Sequence, residues 1–170
     1  MNPILKKLKG GDLRSTGRAD EVAEDVIRNP ELAVEIFEGL FYDDPVIRMR
    51  SADALEKASR RNNSLLNPFK TKLIDEVSKI NQIEVQWHVA QMLSNLELDE
   101  IELEKTVNIL DEYLESESKI VIVNSLQALA DLEKKHPQLN TLVVERIQKM
   151  METGAPSIVS RGKKLLRSLK

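Results

Sequence analysis

Two histidines, His88 and His136, and several closely spaced carboxylates are the side chains best suited to acid–base chemistry near neutral pH. The histidines fall in different parts of the chain, and neither has a nucleophile beside it in sequence. His136 precedes Pro137 and reads as a turn residue. The pairs Asp43-Asp44 and Glu102 with Glu104 are what a chain with 28 acidic residues in 170 contains in its turns and helix starts. Capping and helix-dipole effects account for them without catalysis. No H-E-x-x-H, no phosphate-cradling glycine loop and no serine–histidine motif occurs. The absence of cysteine removes disulfides, thiolate metal ligands and thiol nucleophiles together. The expectation is a chain that is not an enzyme and uses no metal and no cofactor.

The elements that position these residues repeat. Ile36, Leu73, Leu110 and Ile147 stand on a strict ladder of 37 residues, and Leu40, Val77, Leu114 and Met151 climb beside it at the same step. Apolar pairs four residues apart, copied at a fixed long period, are the signature of stacked helical units. Each unit reads as a helix pair. The first helices cover about 31–41, 68–80, 100–115 and 138–152, and the second about 46–60, 83–96, 118–134 and 156–169. Asp43-Asp44-Pro45 and Gly154-Ala155-Pro156 separate first from second helices, with proline at the first helical position. No strand pattern appears. Residues 20–28 predict one more short helix with Asp20 as its N-cap, forming a half-repeat. Gly10, Gly11 and Gly17 predict a flexible loop over 10–19.

The resulting organisation is a single domain over 1–170, with a cap at 1–30 and repeats at about 31–66, 67–98, 99–136 and 137–170. At the C-terminal end, positions held by Ala52, Ala90 and Leu126 become Lys163, and those held by Met49, Trp87 and Val123 become Ser160. Polar residues at a face with nothing stacked on it suit a terminal repeat, so the array is expected to end there.

Composition agrees with a folded, charged, aliphatic protein: 41% apolar, 31% charged and 4% aromatic. No apolar run reaches the roughly 18 residues of a membrane span, and the N-terminus lacks a signal-peptide core. A cytoplasmic location is expected. Net charge is −3, with both ends basic and the middle acidic.

The second helix of the first repeat begins Asp44-Pro45-Val46-Ile47-Arg48 and continues through Ala52, Ala54 and Leu55. This resembles the HEAT-repeat pattern within the armadillo-type superhelix class. The later copies keep the apolar positions and lose most of the signature: Arg48 becomes Gln86, Ile122 and Val159. The resemblance implies an all-α fold, a right-handed α–α superhelix (solenoid) of about four HEAT-like helix pairs with an N-terminal half-repeat cap. It also implies that the second helices line the concave face.

On that face the register projects an outward stripe. It contains Arg50, Asp53 and Lys57 in the first repeat, and Glu84, His88, Gln91 and Asn95 in the second. Asn124, Gln127 and Asp131 follow in the third, and Arg161 and Lys164 in the fourth. Asparagine and glutamine both donate and accept, which suits an extended peptide backbone. Replacing Arg50, His88, Gln91, Asn124 and Gln127 by alanine is expected to abolish binding and leave the melting temperature nearly unchanged. Trp87 with Gln91 half-matches the tryptophan–asparagine pairs of armadillo-type import receptors, but packing between adjacent second helices is the expected role of Trp87. The second helices are also more basic than the first. A protein or peptide partner is therefore expected, with no membrane association. The alternative is nucleic acid held by the basic C-terminal helix, Arg161 to Lys170, as in HEAT-like DNA glycosylases. Against it stands a pI of about 5.6.

Overall fold

The computed structural model describes residues 1–169, and Lys170 lies outside the described residues. It is all-helical, with no strand among the described residues and no helix long and apolar enough to cross a membrane. Two compact units are present, Met1–Glu97 and Leu98–Lys170.

The first unit contains α1 (Pro3–Lys6), α2 (Ala19–Arg28), α3 (Ala33–Glu38), α4 (Pro45–Arg61), α5 (Lys70–Asp75) and α6 (Ile83–Ser94). Its centre is α4. The Asp44 side chain accepts from the Val46 N–H at 2.9 Å, and Pro45 occupies the first turn, where it has no N–H to satisfy. Eleven of the 17 residues of α4 are buried, which means the helix is enclosed on nearly every side. Helices α2 and α6 pack on it, and α3 covers it. Small residues allow this: Ser51, Ala52, Ala54, Ala58 and Ser59 are all buried. The three phenylalanines join the α3 segment to the turn that leads into α5. Phe37 stacks on Phe69 with centroids 4.4 Å apart and meets Phe41 edge-on at 5.8 Å.

Those first helices are short α segments flanked by tighter 3₁₀ turns, Pro30–Leu32 and Gly39–Phe41 around α3, Asn67–Phe69 and Val77–Lys79 around α5. Gly39 lets the α3 segment approach its neighbours. A Cβ there would lie 2.2 Å from Ser51 Oγ and 2.9 Å from Leu5 Cδ2. Arg48, the arginine of the HEAT-like motif, donates to the carbonyls of Tyr42 and Asp43 and to Gln82 Oε1, at 2.6, 3.0 and 2.7 Å. Gln82 in turn donates to the Pro45 carbonyl at 2.9 Å. The motif therefore ties one interhelical turn to the next.

The second unit contains α7 (Glu100–Leu114), α8 (Lys119–Lys135), α9 (Asn140–Met151) and α10 (Pro156–Ser168). Asp99 and Glu102 form a reciprocal capping box at the start of α7, with bonds of 2.8 and 2.9 Å. Helix α8 packs against α7, α9 and α10. Arg146 on α9 grips Asp111 on α7 with both forks, at 2.8 and 3.1 Å.

The ladder residues Ile36, Leu73, Leu110 and Ile147 are all fully buried. Each such aliphatic side chain removed from water contributes about 1.5–3 kcal/mol, which is why the period is held so strictly. Two local expectations are corrected. Helix α2 begins at Ala19 with Arg18 at the cap and no side-chain cap bond, so Asp20 is not the N-cap. Asp20 instead pairs with Lys57. Residues 10–18 are irregular, but the Gly10, Asp12 and Ser15 carbonyls accept from Arg50.

Candidate functional site

The projected stripe separates into two groups. In the first unit its leading residues point inward. Arg50 is 3% exposed, Asp53 4% and His88 3%. The expectation that they face solvent is overturned, because α2 and the N-terminal segment cover this part of α4.

Arg50 is the clearest case. Its guanidinium donates to the carbonyls of Leu8 at 2.9 Å, Gly10 at 2.6 Å and Ser15 at 3.1 Å, with longer bonds to Lys9 and Asp12 at 3.5 Å. No carboxylate takes part in these bonds. Carbonyl dipoles replace water around a buried cation, and one side chain orders a loop that has no regular structure of its own. Glycine is required in that collar. Gly17 has φ +54°, and a Cβ there would lie 2.6 Å from Arg50 Cζ. Lys7 fastens the same segment to α2 through Glu21 at 2.8 Å and Asp25 at 2.5 Å.

Asp53 and Glu56 lie on one face of α4, and His88 on α6 comes up to them. Lys57 binds Asp53 Oδ2 at 2.9 Å, and Arg60 binds Glu56 Oε2 at 2.6 Å. Burial drives the His88 pKa down to about 3, with the charges of Lys57 and Arg60 adding to the effect. The imidazole is therefore neutral, and its 3.8 Å approach to Asp53 is not an ion pair. Burial pushes the Glu56 carboxyl above its usual range, against the pull of Arg60.

The unfolded chain takes up a His88 proton below about pH 6.5, and the folded chain refuses it until about pH 3. Stability supplied by neutral His88 is thus present above pH 6.5 and is lost as pH falls toward 3, at up to about 1.4 kcal/mol per pH unit. The raised Glu56 acts in the opposite sense just above its unfolded value and offsets part of that slope. Denaturant titrations of wild type and His88→Gln at pH 7 and 4.5 isolate the histidine. The wild type is expected to lose more stability than the variant on acidification, and equal losses would contradict the assignment.

The remaining first-unit residues are half-buried: Lys57, Glu84, Gln91 and Asn95. Trp87 is half-buried too, its ring centroid 3.5 Å from that of His88.

The second unit keeps its part of the stripe at the surface. Asn124, Gln127, Asp131 and Arg161 are half-buried and Lys164 is exposed. Three of them, Arg161, Gln127 and Asp131, form a bonded row across α8 and α10. Arg161 donates to Gln127 Oε1 at 2.7 Å, and Gln127 donates to Asp131 Oδ1 at 3.1 Å. Lys134 also binds Asp131, at 3.0 Å, and Asn124 donates back to the Ile120 carbonyl at 2.8 Å. Ile120 is 47% exposed at the edge of this row. The surface is polar, with the cations Lys134, Arg161 and Lys164 and the exposed apolar side chain of Ile120. The sequence signal missed in the first unit is the run of small residues around Arg50, Asp53 and Glu56, which marks an enclosed helix.

No protein-family model and no solved structure matches the chain. Over 123 residues the chain is 28% identical to the AP-4 complex subunit beta-1 of Mus musculus. That match takes in 69% of this chain and 16% of the mouse protein, so the chain spans a small part of that subunit's length. The all-helical fold and this distant similarity are compatible with a HEAT-like repeat.

Proposed function

We propose that the chain is a non-catalytic HEAT-like scaffold, a right-handed superhelix of about four helix pairs, that holds a protein or peptide partner in the cytoplasm. The observation that carries this reading is the similarity to a subunit of a multi-protein complex. The binding face proposed is the α8–α10 row of Asn124, Gln127, Asp131, Arg161 and Lys164, flanked by Ile120. It is narrower than the stripe read from the sequence, since Arg50, Asp53 and His88 are buried. Its cations and its amide network suit an acidic, extended segment.

Arg161→Ala combined with Lys164→Ala is expected to keep the helix content and melting temperature of the wild type, because both side chains reach solvent. Capture of the partner from native lysate on the immobilised variant is expected to fall about ten-fold or more, as when central charged anchors are truncated. Equal capture by both chains would contradict the face. Capture that disappears on nuclease treatment would favour the nucleic-acid alternative through α10 instead.

A further inference from the structure

We propose that Asp53, Glu56 and His88 form a buried binding site for one divalent cation of the zinc class. Sequence alone predicted no metal, because the ligands come from two helices and match no spacing motif.

The geometry carries the proposal. One donor atom from each of the three residues lies within 4.8 Å of the other two, and the residues are 4%, 1% and 3% exposed. A point equidistant from three such atoms is within about 2.8 Å of each, against zinc–nitrogen and zinc–oxygen lengths of about 2.0–2.2 Å. A modest inward shift of side chains closes that gap. The outer oxygens are already assigned: Lys57 holds Asp53 Oδ2 and Arg60 holds Glu56 Oε2. Glu56 Oε1 and His88 Nδ1 are buried with no hydrogen-bond partner, and Asp53 Oδ1 is 3.8 Å from His88 Nε2, beyond hydrogen-bond range. Buried polar atoms are almost always satisfied, and a cation bound by Asp53, Glu56 and the unprotonated imidazole nitrogen would satisfy this cluster.

The chemistry narrows which cation. Calcium takes six to eight oxygens and magnesium a near-octahedral oxygen shell, which two carboxylates and an imidazole do not supply. One nitrogen and two carboxylates with an open position suit zinc, or copper and nickel in the same series. Lys57 and Arg60 then act as outer-shell partners that orient the carboxylates, with Asp20 drawing on the Lys57 charge.

Trp87 supplies the readout. It is the only tryptophan, and its ring sits against that of His88. Metal-stripped full-length chain titrated with zinc chloride is expected to retain one zinc per chain after dialysis, with a saturable change in Trp87 emission. Asp53→Asn and Glu56→Gln preserve side-chain volume and are each expected to weaken binding about ten-fold or more with helix content unchanged. Should a variant fail to fold, the wild type still decides. Cobalt added to it is expected to broaden NMR signals of residues 53–56 and His88 first. Wild-type chain that retains no zinc, variants that bind as tightly as wild type, or broadening centred on His136 or the N-terminal amine would each overturn the site.

Discussion

Arg50→Ala is expected to release the N-terminal segment and lower the melting temperature by roughly 6–12 °C. The guanidinium satisfies carbonyls from Leu8 to Ser15 and is buried. Removing it leaves those acceptors without a donor and opens a cavity beside α4, at a combined cost of about 3 kcal/mol or more. For a chain of this size, each kcal/mol moves the midpoint by about 2–4 °C. Limited proteolysis reads the local effect, with new cleavage between residues 8 and 18 and α4 to α6 still protected. Arg50→Lys is expected to recover little, since an ammonium has three donors and lacks the fork that reaches Leu8, Gly10 and Ser15 together. A variant with wild-type stability and an uncut N-terminus would show that the collar does not depend on the cation. The same bonds explain why an alanine set containing Arg50 and His88 does not probe binding alone. It removes buried structure in the first unit.

Gly39→Ala is expected to destabilise the chain by about 1–3 kcal/mol, the usual cost of overpacking a closed core. The added methyl would sit 2.2 Å from Ser51 Oγ, so either the α3 segment or α4 has to move. Ser51 gives the control. Its hydroxyl is buried and unpartnered, so Ser51→Ala alone is expected to cost little. Combined with Gly39→Ala, it removes the closest contact and is expected to recover at least half of the loss, leaving Leu5 Cδ2 at 2.9 Å and the Cβ of residue 51 at 3.1 Å to account for the remainder. Denaturant midpoints of the four chains complete the cycle. Strictly additive effects would place the strain elsewhere.

Much of the helical framework was legible because it is written in period and punctuation. The ladder positions Ile36, Leu73, Leu110 and Ile147 are buried, and Pro45 and Pro156 open α4 and α10. The short α3 and α5 segments with their 3₁₀ ends were less visible, since a single glycine or proline alters pitch without changing the apolar face. Solvent exposure was the weak point. A stripe projected from one helix assumes that the face opposite its anchors meets water. Helix α4 breaks that assumption because α2 and the collar over Leu8 to Ser15 fold across it, and a loop that borrows its order from a distant arginine leaves no local pattern. Asp53, Glu56 and His88 came together for the same reason: polar types at helical spacing look solvated until the neighbouring helix is placed. In the second unit Lys164 is exposed and Asn124, Gln127 and Arg161 are half-buried.

If the α8–α10 face holds a protein partner, site-specific photocrosslinking from that face captures it. A benzophenone amino acid replaces Lys164 in one chain and the exposed Glu145 of α9 in another. In native lysate the chain labelled at position 164 is expected to give a discrete, nuclease-resistant protein adduct, and the chain labelled at 145 none. No adduct at 164, or the same adducts from both positions, would contradict the account.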